Sequence, residues 1–295
     1  MDHRSIRRMR AGAVAAVAAV LLLAACSSST DTSSPTTTSA GTGGSTPRGG
    51  SPGSTPGTTA ERPLRIMVTN DDGYMGVGID RVVAGLNTLP NVEVVVVAPA
   101  TDRTGTGPST TDVPLTAPDV ETISGYPAKA VAGFPADTVN WAVDEGGLDE
   151  KPDVVVSGIN IGQNLGPVLD LSGTVGAARA AGSRGIPALA ASQGLATEPD
   201  WDSGVALVLE WITQHRDELI AGVAPTPATV ENLNIPSCAT GTLRELVEVP
   251  FATDAAGRNV LASDIDCTGT PPEPADDVDA FNTGYPSLTV ITPAG

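Results

Sequence analysis

The sequence predicts an α/β protein: a mostly parallel sheet with helices on both faces, three layers in all (α/β/α), followed by a C-terminal hairpin or extension. Three observations carry this. Short Val-rich runs bounded by turn residues suit strands buried on both faces. An apolar stripe at helical spacing separates the first two runs. The alternation of strand and helix then recurs along much of the 295-residue chain, the order that layers helices over a parallel sheet.

Leu64 to Thr69 is the first apolar run and ends in Asn70-Asp71-Asp72-Gly73. Ile79, Val82, Val83 and Leu86 follow at i, i+3, i+4 and i+7, one face of a helix. Val92 to Val97 is the second strand, broken by Ala98-Pro99, and completes a βαβ unit. Asp153 to Ser157 supplies another strand, Thr174 to Ser183 an Ala-rich helix, and Ala188 to Ser192 a further strand. Ser203 to His215 reads as a helix carrying Leu207, Leu209, Trp211 and Ile212, and Val230 to Ile235 as a strand. From about 236 the hydrophobic period fades. Residues 238 to 280 are rich in Asp, Thr, Gly and Pro and read as hairpins or a long excursion, before Tyr285 to Ile291 returns as a strand.

The N-terminus reads as an address. Arg4, Arg7, Arg8 and Arg10 precede an apolar run from Ala11 to Ala25, too short to span about 30 Å of hydrocarbon comfortably. The run ends Leu23-Ala24-Ala25-Cys26-Ser27, which resembles a bacterial lipobox, so residues 1–25 are expected to be a signal peptide and Cys26 the lipidated first residue. The alternatives are a plain secretory peptide and an uncleaved anchor helix. All three place the remainder outside the cytoplasm, and lipidation makes it membrane-tethered. Residues 26–62 are dominated by Ser, Thr, Gly and Pro and cannot build a core. They form a tether with a root-mean-square reach of roughly 30 to 36 Å, which leaves 63–295 as the folded domain.

Sixteen Lys and Arg face 34 Asp and Glu, a net charge of −18. Loss of residues 1–25, with four Arg and one Asp, takes it to −21. Such a surface repels nucleic-acid phosphates, which argues against long nucleic acid as a partner. His3 and His215 are the sole histidines, so multi-His zinc sites are excluded and chemistry falls to carboxylates, hydroxyls, amides and backbone. His215, on an amphipathic helix, reads as its C-terminal cation. Cys238 and Cys267 form an even pair in an oxidising compartment and are expected to be disulfide-bonded, the alternative being two buried thiols.

Ligands of open parallel sheets bind where loops diverge at the carboxyl ends of strands. Three polar clusters fall there: Asn70-Asp71-Asp72-Gly73, Asp102-Arg103-Thr104-Gly105, and Ser157-Gly158-Ile159-Asn160 with Asn164. Adjacent carboxylates repel unless a cation neutralises them. Oxygen donors without thiol or imidazole suit a hard ion such as Mg²⁺ or Mn²⁺. Taken alone, Asp71-Asp72 also reads as a helix cap beside a solvated acid. Ser172-Gly173-Thr174 opens the Ala-rich helix and offers hydroxyl and N–H donors to an anion, or else an ordinary N-cap. A cation beside an anion cradle suggests phosphate.

Arg65 through Gly73, Ala98-Pro99 through Arg103-Thr104-Gly105, Gly133-Phe134-Pro135-Ala136-Asp137, Ser157-Gly158-Ile159-Asn160-Ile161-Gly162-Gln163-Asn164-Leu165-Gly166, and Ser172-Gly173-Thr174-Val175 resemble, in order and spacing, the successive motifs of the SurE family of metal-dependent 5′/3′-nucleotidases. The resemblance implies a Rossmann-like α/β domain, a C-terminal extension exchanged with a partner in a homodimer, and hydrolysis of phosphomonoesters, typically nucleoside monophosphates, with Mg²⁺ or Mn²⁺. By motif position Asp71, Asp72 and Asn160 correspond to metal ligands, and Thr104 stands where the family usually has Ser. Asn70, Gly105, Asn164, Ser172, Gly173 and Thr174 fall where phosphate or substrate binds.

Met75, Pro108, Leu171 and Phe134 depart from that pattern, where members usually carry His, Asn, an aromatic and a small polar residue. The expected ligand shell is intact and the groups around phosphate and leaving group are altered. The reading is therefore a membrane-tethered phosphomonoesterase in which Asp72 orients or deprotonates the attacking water and the leaving group is protonated by water or Asp102. The alternative is a nucleotide- or phosphate-binding lipoprotein on the same scaffold without turnover.

Overall fold

A run such as Val92–Pro99 has apolar residues on both sides of the strand, and a strand of that kind is stable only between two helical layers. The computed structural model, which describes residues 62–222 and 228–293, supplies those layers. The expected signal peptide, the expected lipidation site Cys26 and all of the expected tether except Arg62 lie outside the described residues.

In chain order the elements are β1 (Leu64–Thr69), α1 (Val77–Leu86), β2 (Val92–Pro99), β3 (Asp119–Glu121), β4 (Pro127–Val131), α2 (Pro135–Val143), β5 (Val154–Ile161), α3 (Gly173–Ser183), β6 (Ala188–Gln193), α4 (Trp201–Ala221), β7 (Val230–Ile235), β8 (Cys238–Gly241), β9 (Val247–Glu248), β10 (Ile265–Cys267), α5 (Asp277–Asn282) and β11 (Ser287–Ile291). A 3₁₀ stretch, Gly166–Leu171, leads into α3. Nine strands make one sheet in the order β3-β4-β2-β1-β5-β6-β7-β11-β9. From β4 to β7 every pairing is parallel, while β3 and β11 run antiparallel to their neighbours β4 and β7. From β1 the chain winds outward through β2 and β4, then returns to β5 on the other side of β1 and winds the opposite way. The strand order therefore reverses between β1 and β5, which opens a crevice at their carboxyl ends.

Alternation along the strands builds two cores. Leu64, Ile66, Val68 and Val156 pack with Ile79, Val82 and Leu86 of α1 and Val208, Trp211 and Ile212 of α4. Met67, Val97 and Val155 face the other way, onto Val139 of α2 and Val175, Ala177, Ala178 and Ala181 of α3. Each large apolar side chain fully buried this way stabilises by about 1.5–3 kcal/mol. Among the described residues no helix is long and apolar enough to cross a membrane.

The three-layer architecture is as expected, and several local readings change. β5 continues to Ile161, so Gly158 to Asn160 lie inside the strand, at an irregularity in its pairing with β6 between Ser157 and Asn160, and not beyond its end. Gly158, at φ +137°, suits that irregularity: a Cβ there would sit 2.3 Å from the Ala191 carbonyl oxygen. α4 runs 21 residues, to a left-handed Gly222, so His215 stands six residues short of its end. It is not a C-terminal cation; it stacks on Trp211, ring centroids 4.5 Å apart, with Nδ1 2.8 Å from the Trp211 carbonyl oxygen. Of the hairpins or long excursion expected after β7, the described residues show the excursion: β10 pairs with β8 in parallel, and β9 joins the edge of the main sheet beside β11. Cys238 and Cys267 are disulfide-bonded across the β8–β10 pair.

Gly78 shows how closely α1 seats on the sheet. A Cβ there would lie 1.8 Å from the Ile159 carbonyl oxygen and 2.9 Å from the Trp201 ring. Gly78→Ala should therefore lower stability by about 2 kcal/mol, although Gly to Ala within a helix ordinarily gains up to about 1 kcal/mol. Thermal unfolding checks the sign, and an unchanged or raised midpoint would show that α1 does not rest on β5.

Candidate active site

The turn after β1 is closed by Asn70, whose side chain is fully buried and whose Nδ2 donates to the Gly73 carbonyl oxygen at 3.0 Å. Asn70 thus shapes the turn and does not reach outward as a substrate donor. The turn after β2 locks onto it. Arg103 N donates to the Asp71 carbonyl oxygen (2.7 Å), Tyr74 N donates to that of Pro99 (3.0 Å), and Gly73 packs against Thr101 and Asp102.

These contacts bring Asp71 and Asp72 to the rim at the β1–β5 crevice. Asp71 is 2% exposed and accepts the Thr174 hydroxyl at 2.6 Å, a bond between residues 103 positions apart. Burial raises its pKa, against the pull of that hydroxyl and of backbone N–H groups including that of Thr174. Asp72 accepts from Ile161 N at 3.4 Å, and burial together with the charge of Asp71 pushes its carboxyl up to about 7. Two neighbouring carboxylates that resist ionisation together are a site short of positive charge.

Asn160, 6% exposed, spends its Nδ2 on the Gly162 carbonyl oxygen at 2.6 Å, while its Oδ1 is buried without a hydrogen-bond partner. A buried acceptor left bare costs about 1–3 kcal/mol unless a partner satisfies it. On the other side, the Thr104 N–H and hydroxyl both donate to Asp102 Oδ1, at 2.8 and 2.7 Å. Those two donors, the N–H first, hold the Asp102 carboxyl below its ordinary value. With its proton committed to Asp102, the Thr104 oxygen keeps lone pairs for another partner. Two carboxylates, an orphaned amide oxygen and a hydroxyl oxygen fit a hard divalent cation. Among the described residues no group of three or more His, Cys, Asp or Glu could hold a metal, so this mixed oxygen set is the candidate.

The expected phosphate groups fare unevenly. Ser172 caps α3, its Oγ accepting from Val175 N at 3.1 Å, and Thr174 is spent on Asp71. The start of α3 therefore supports a carboxylate, while Ser172 Oγ, an acceptor in its cap bond, keeps its own proton to donate. Gly173 lets the start of α3 lie close against Asp71, since a Cβ there would sit 2.8 Å from Asp71 Cβ and 3.0 Å from Asp71 Oδ2. Asn164 is also corrected. Its Nδ2 donates to Ser192 Oγ at 2.9 Å, its N–H to Asn234 Oδ1 at 2.7 Å, and its carbonyl oxygen takes the side-chain amides of Asn232 and Asn234. It fastens the segment before the 3₁₀ stretch to β6 and β7. Gly105, at φ +77°, is exposed, and a Cβ there would meet nothing within 4 Å, so it faces open space beside Thr104.

Of the departures from the family pattern, Met75 is 54% and Leu171 63% exposed. Phe134 is half-buried beneath the Arg103 guanidinium, 5.3 Å from its ring centroid. Asp137 accepts from Phe134 N at 2.8 Å and so caps α2, as its position three residues into the helix foretells. Sequence reasoning missed the Thr174–Asp71 and Asp102–Thr104 bonds; the second carried a signal, an Asp two residues before a Thr, the spacing of an Asx turn. A cavity of about 380 Å³ lined by Ile186, Pro187, Trp211 and His215 lies at the opposite ends of the strands and takes no part in this site.

Comparison with known proteins bears on the same residues. The family model described as Survival protein SurE matches residues 66–257. The 5′-nucleotidase SurE of Chloroflexus aggregans is 38% identical over 241 residues, 77% of this chain and 92% of that protein. The 5′-nucleotidase SurE of Methanopyrus kandleri is 44% identical over 131 residues, 44% of this chain and 49% of that protein. Among solved structures, the SurE protein from Aquifex aeolicus superposes with a TM-score of 0.58 at 27% identity, covering 78% of this chain and 93% of that one.

Proposed function

The chain belongs to the SurE family, and from that premise we propose that it is a nucleotidase that hydrolyses nucleoside 5′- or 3′-monophosphates and other small phosphomonoesters with Mg²⁺ or Mn²⁺. The observation that carries the reading is the adjacent carboxylates of buried Asp71 and half-buried Asp72, which burial and mutual charge keep from ionising together, with Asp72 bonded to Ile161 N next to Asn160, whose buried Oδ1 has no partner. Asp71, Asp72, Thr104 and Asn160 would hold the cation. Once bound, it neutralises charge on the phosphoryl group and acidifies water.

The chain's own groups do the rest. Thr174 fixes Asp71 in one orientation, so that this carboxylate needs no reorganisation during reaction. Asp72, the more exposed of the pair, orients the attacking water through its carboxylate. Asp102 is the wrong acid for the leaving group: both Thr104 donors keep it ionised, so the departing oxygen takes its proton from solvent water.

We propose further that Cys26 carries lipid, that residues 26–62 tether the domain outside the cytoplasmic membrane, and that the protein is a homodimer. Cys26→Ser should move the protein from the membrane to the soluble fraction, which fractionation of cells measures.

Activity is tested by phosphate release from nucleoside monophosphates and an aryl phosphate with Mn²⁺, Mg²⁺ or EDTA. Release with either cation and none with EDTA supports the reading. Cation-dependent nucleotide binding without release would make the protein a binding lipoprotein instead.

A further inference from the structure

We propose that Asp102 is a positioning residue that acts through Thr104, holding the Thr104 hydroxyl with its proton turned aside and its lone pairs toward the cation. The proposal rests on the reading of Asp71, Asp72, Thr104 and Asn160 as cation ligands.

A threonine hydroxyl on an exposed turn rotates among staggered positions, and in some of them its proton would point at an incoming cation. Here one carboxylate oxygen, Asp102 Oδ1, accepts both the backbone N–H and the hydroxyl of Thr104, at 2.8 and 2.7 Å. The two bonds fix the turn and the hydroxyl rotor at once. The same turn is clamped to the strand end that carries the acidic pair, through Arg103 N on the Asp71 carbonyl oxygen at 2.7 Å. Gly73 seats against it so closely that a Cβ would lie 3.1 Å from Thr101 C and 3.3 Å from Asp102 N. Thr106 Oγ1 extends the turn by donating to the Arg103 carbonyl oxygen at 2.7 Å. Asp102 thus stands behind a ligand as the hydrogen-bonding partners of metal-bound groups do, and removal of such partners typically weakens metal affinity about 10–100-fold.

The test is Mn²⁺ affinity of the full chain, stripped with EDTA and measured by titration calorimetry, which needs no turnover. Asp102→Ala should weaken binding about 10–100-fold. Asp102→Asn keeps an oxygen able to accept both donors and should restore affinity to within about threefold of the parent at high salt, where the lost charge matters least. Thr104→Val should cost as much as Asp102→Ala, and the double variant no more than Thr104→Val alone, because partners acting as one unit are not additive. Thr104→Ser should bind as the parent does and stay sensitive to Asp102→Ala. Thermal unfolding of the ion-free variants identifies any that lose the turn by misfolding; for those, the Asp102→Asn and Thr104→Ser pair decides.

Additive losses, or an Asp102→Asn variant as weak as Asp102→Ala, would overturn the proposal and make Asp102 an independent ligand or charge. An unchanged Asp102→Ala affinity would overturn it as well. If the parent itself fails to bind Mn²⁺, the ligand assignment fails first and the inference with it.

Discussion

Asp72→Asn is expected to lower cation-supported phosphate release by about 10³-fold, the kinetic equivalent of about 4 kcal/mol of lost transition-state stabilisation. The amide keeps the shape of the side chain but removes one of the two charges proposed to hold the ion and the acceptor proposed to orient water. The same substitution should raise the stability of the ion-free protein. Asp72 titrates near 7 in the fold because burial and the charge of Asp71 oppose its ionisation. A carboxyl whose pKa is higher folded than unfolded contributes stability that is complete below its unfolded value and is lost as the pH rises through about 7. Asparagine has no such loss. With EDTA present, the variant should melt above the parent by a margin that grows from pH 5 to pH 8. An active variant would remove Asp72 from the mechanism, and one that melts lower at pH 8 would show that the carboxylate pair is not mutually repulsive.

The second large effect concerns the C-terminal excursion. Cys238→Ser with Cys267→Ser opens a loop of 29 residues and should cost about 3 to 4 kcal/mol by the chain-entropy account. For a domain of this size that lowers the melting midpoint by roughly 10 °C. Gly284 packs within 2.7 Å of the Cys267 sulfur, measured from where its Cβ would be, so the bridge is built into the packing around Leu165, Ile265 and Phe281. The excursion also holds Gln163, whose Nε2 donates to the carbonyl oxygens of Val260 (3.2 Å) and Ala262 (2.8 Å). Gln163 lies three residues from Asn160, so cation affinity should fall along with stability. Denaturant unfolding beside Mn²⁺ titration of the double variant measures both, and an unchanged midpoint would show that the excursion is held by its apolar contacts alone.

Much of this was legible in the sequence because periodicity reports burial. β1 and β7 have the bounds that their apolar runs suggest, and Ile79, Val82, Val83 and Leu86 are the buried stripe of α1. β4 was illegible because Pro127-Ala128-Lys129-Ala130-Val131 is short and carries only one large apolar residue. The added length of α4 was missed because Arg216, Asp217 and Glu218 interrupt the apolar run before Leu219, which is buried against the same core. In the site, Asp71, Asp72 and Asn160 could be singled out because ligands of parallel sheets bind at the carboxyl ends of strands where the sheet reverses. The N-cap duty of Ser172 was one of two readings its sequence offered, but the duties of Thr174 and Asn164 could not be read, since a hydroxyl or amide is recognised as a brace or a ligand only by the atom it faces. That atom is over a hundred residues away for Thr174 and seventy for Asn164.

The strand order has a kinetic consequence. The acidic pair follows β1, the Thr104 turn follows β2 and Asn160 lies in β5, three strands adjacent in the sheet, yet β5 arrives only after β3, β4 and α2 in the chain. Closing so long a loop costs entropy before any contact repays it. On the proposed cation site, a refolding chain should therefore gain Mn²⁺ affinity late, after α1 and the β1–β2 pair have formed. The ion then serves as a stopwatch for the moment at which the two halves of the sheet join.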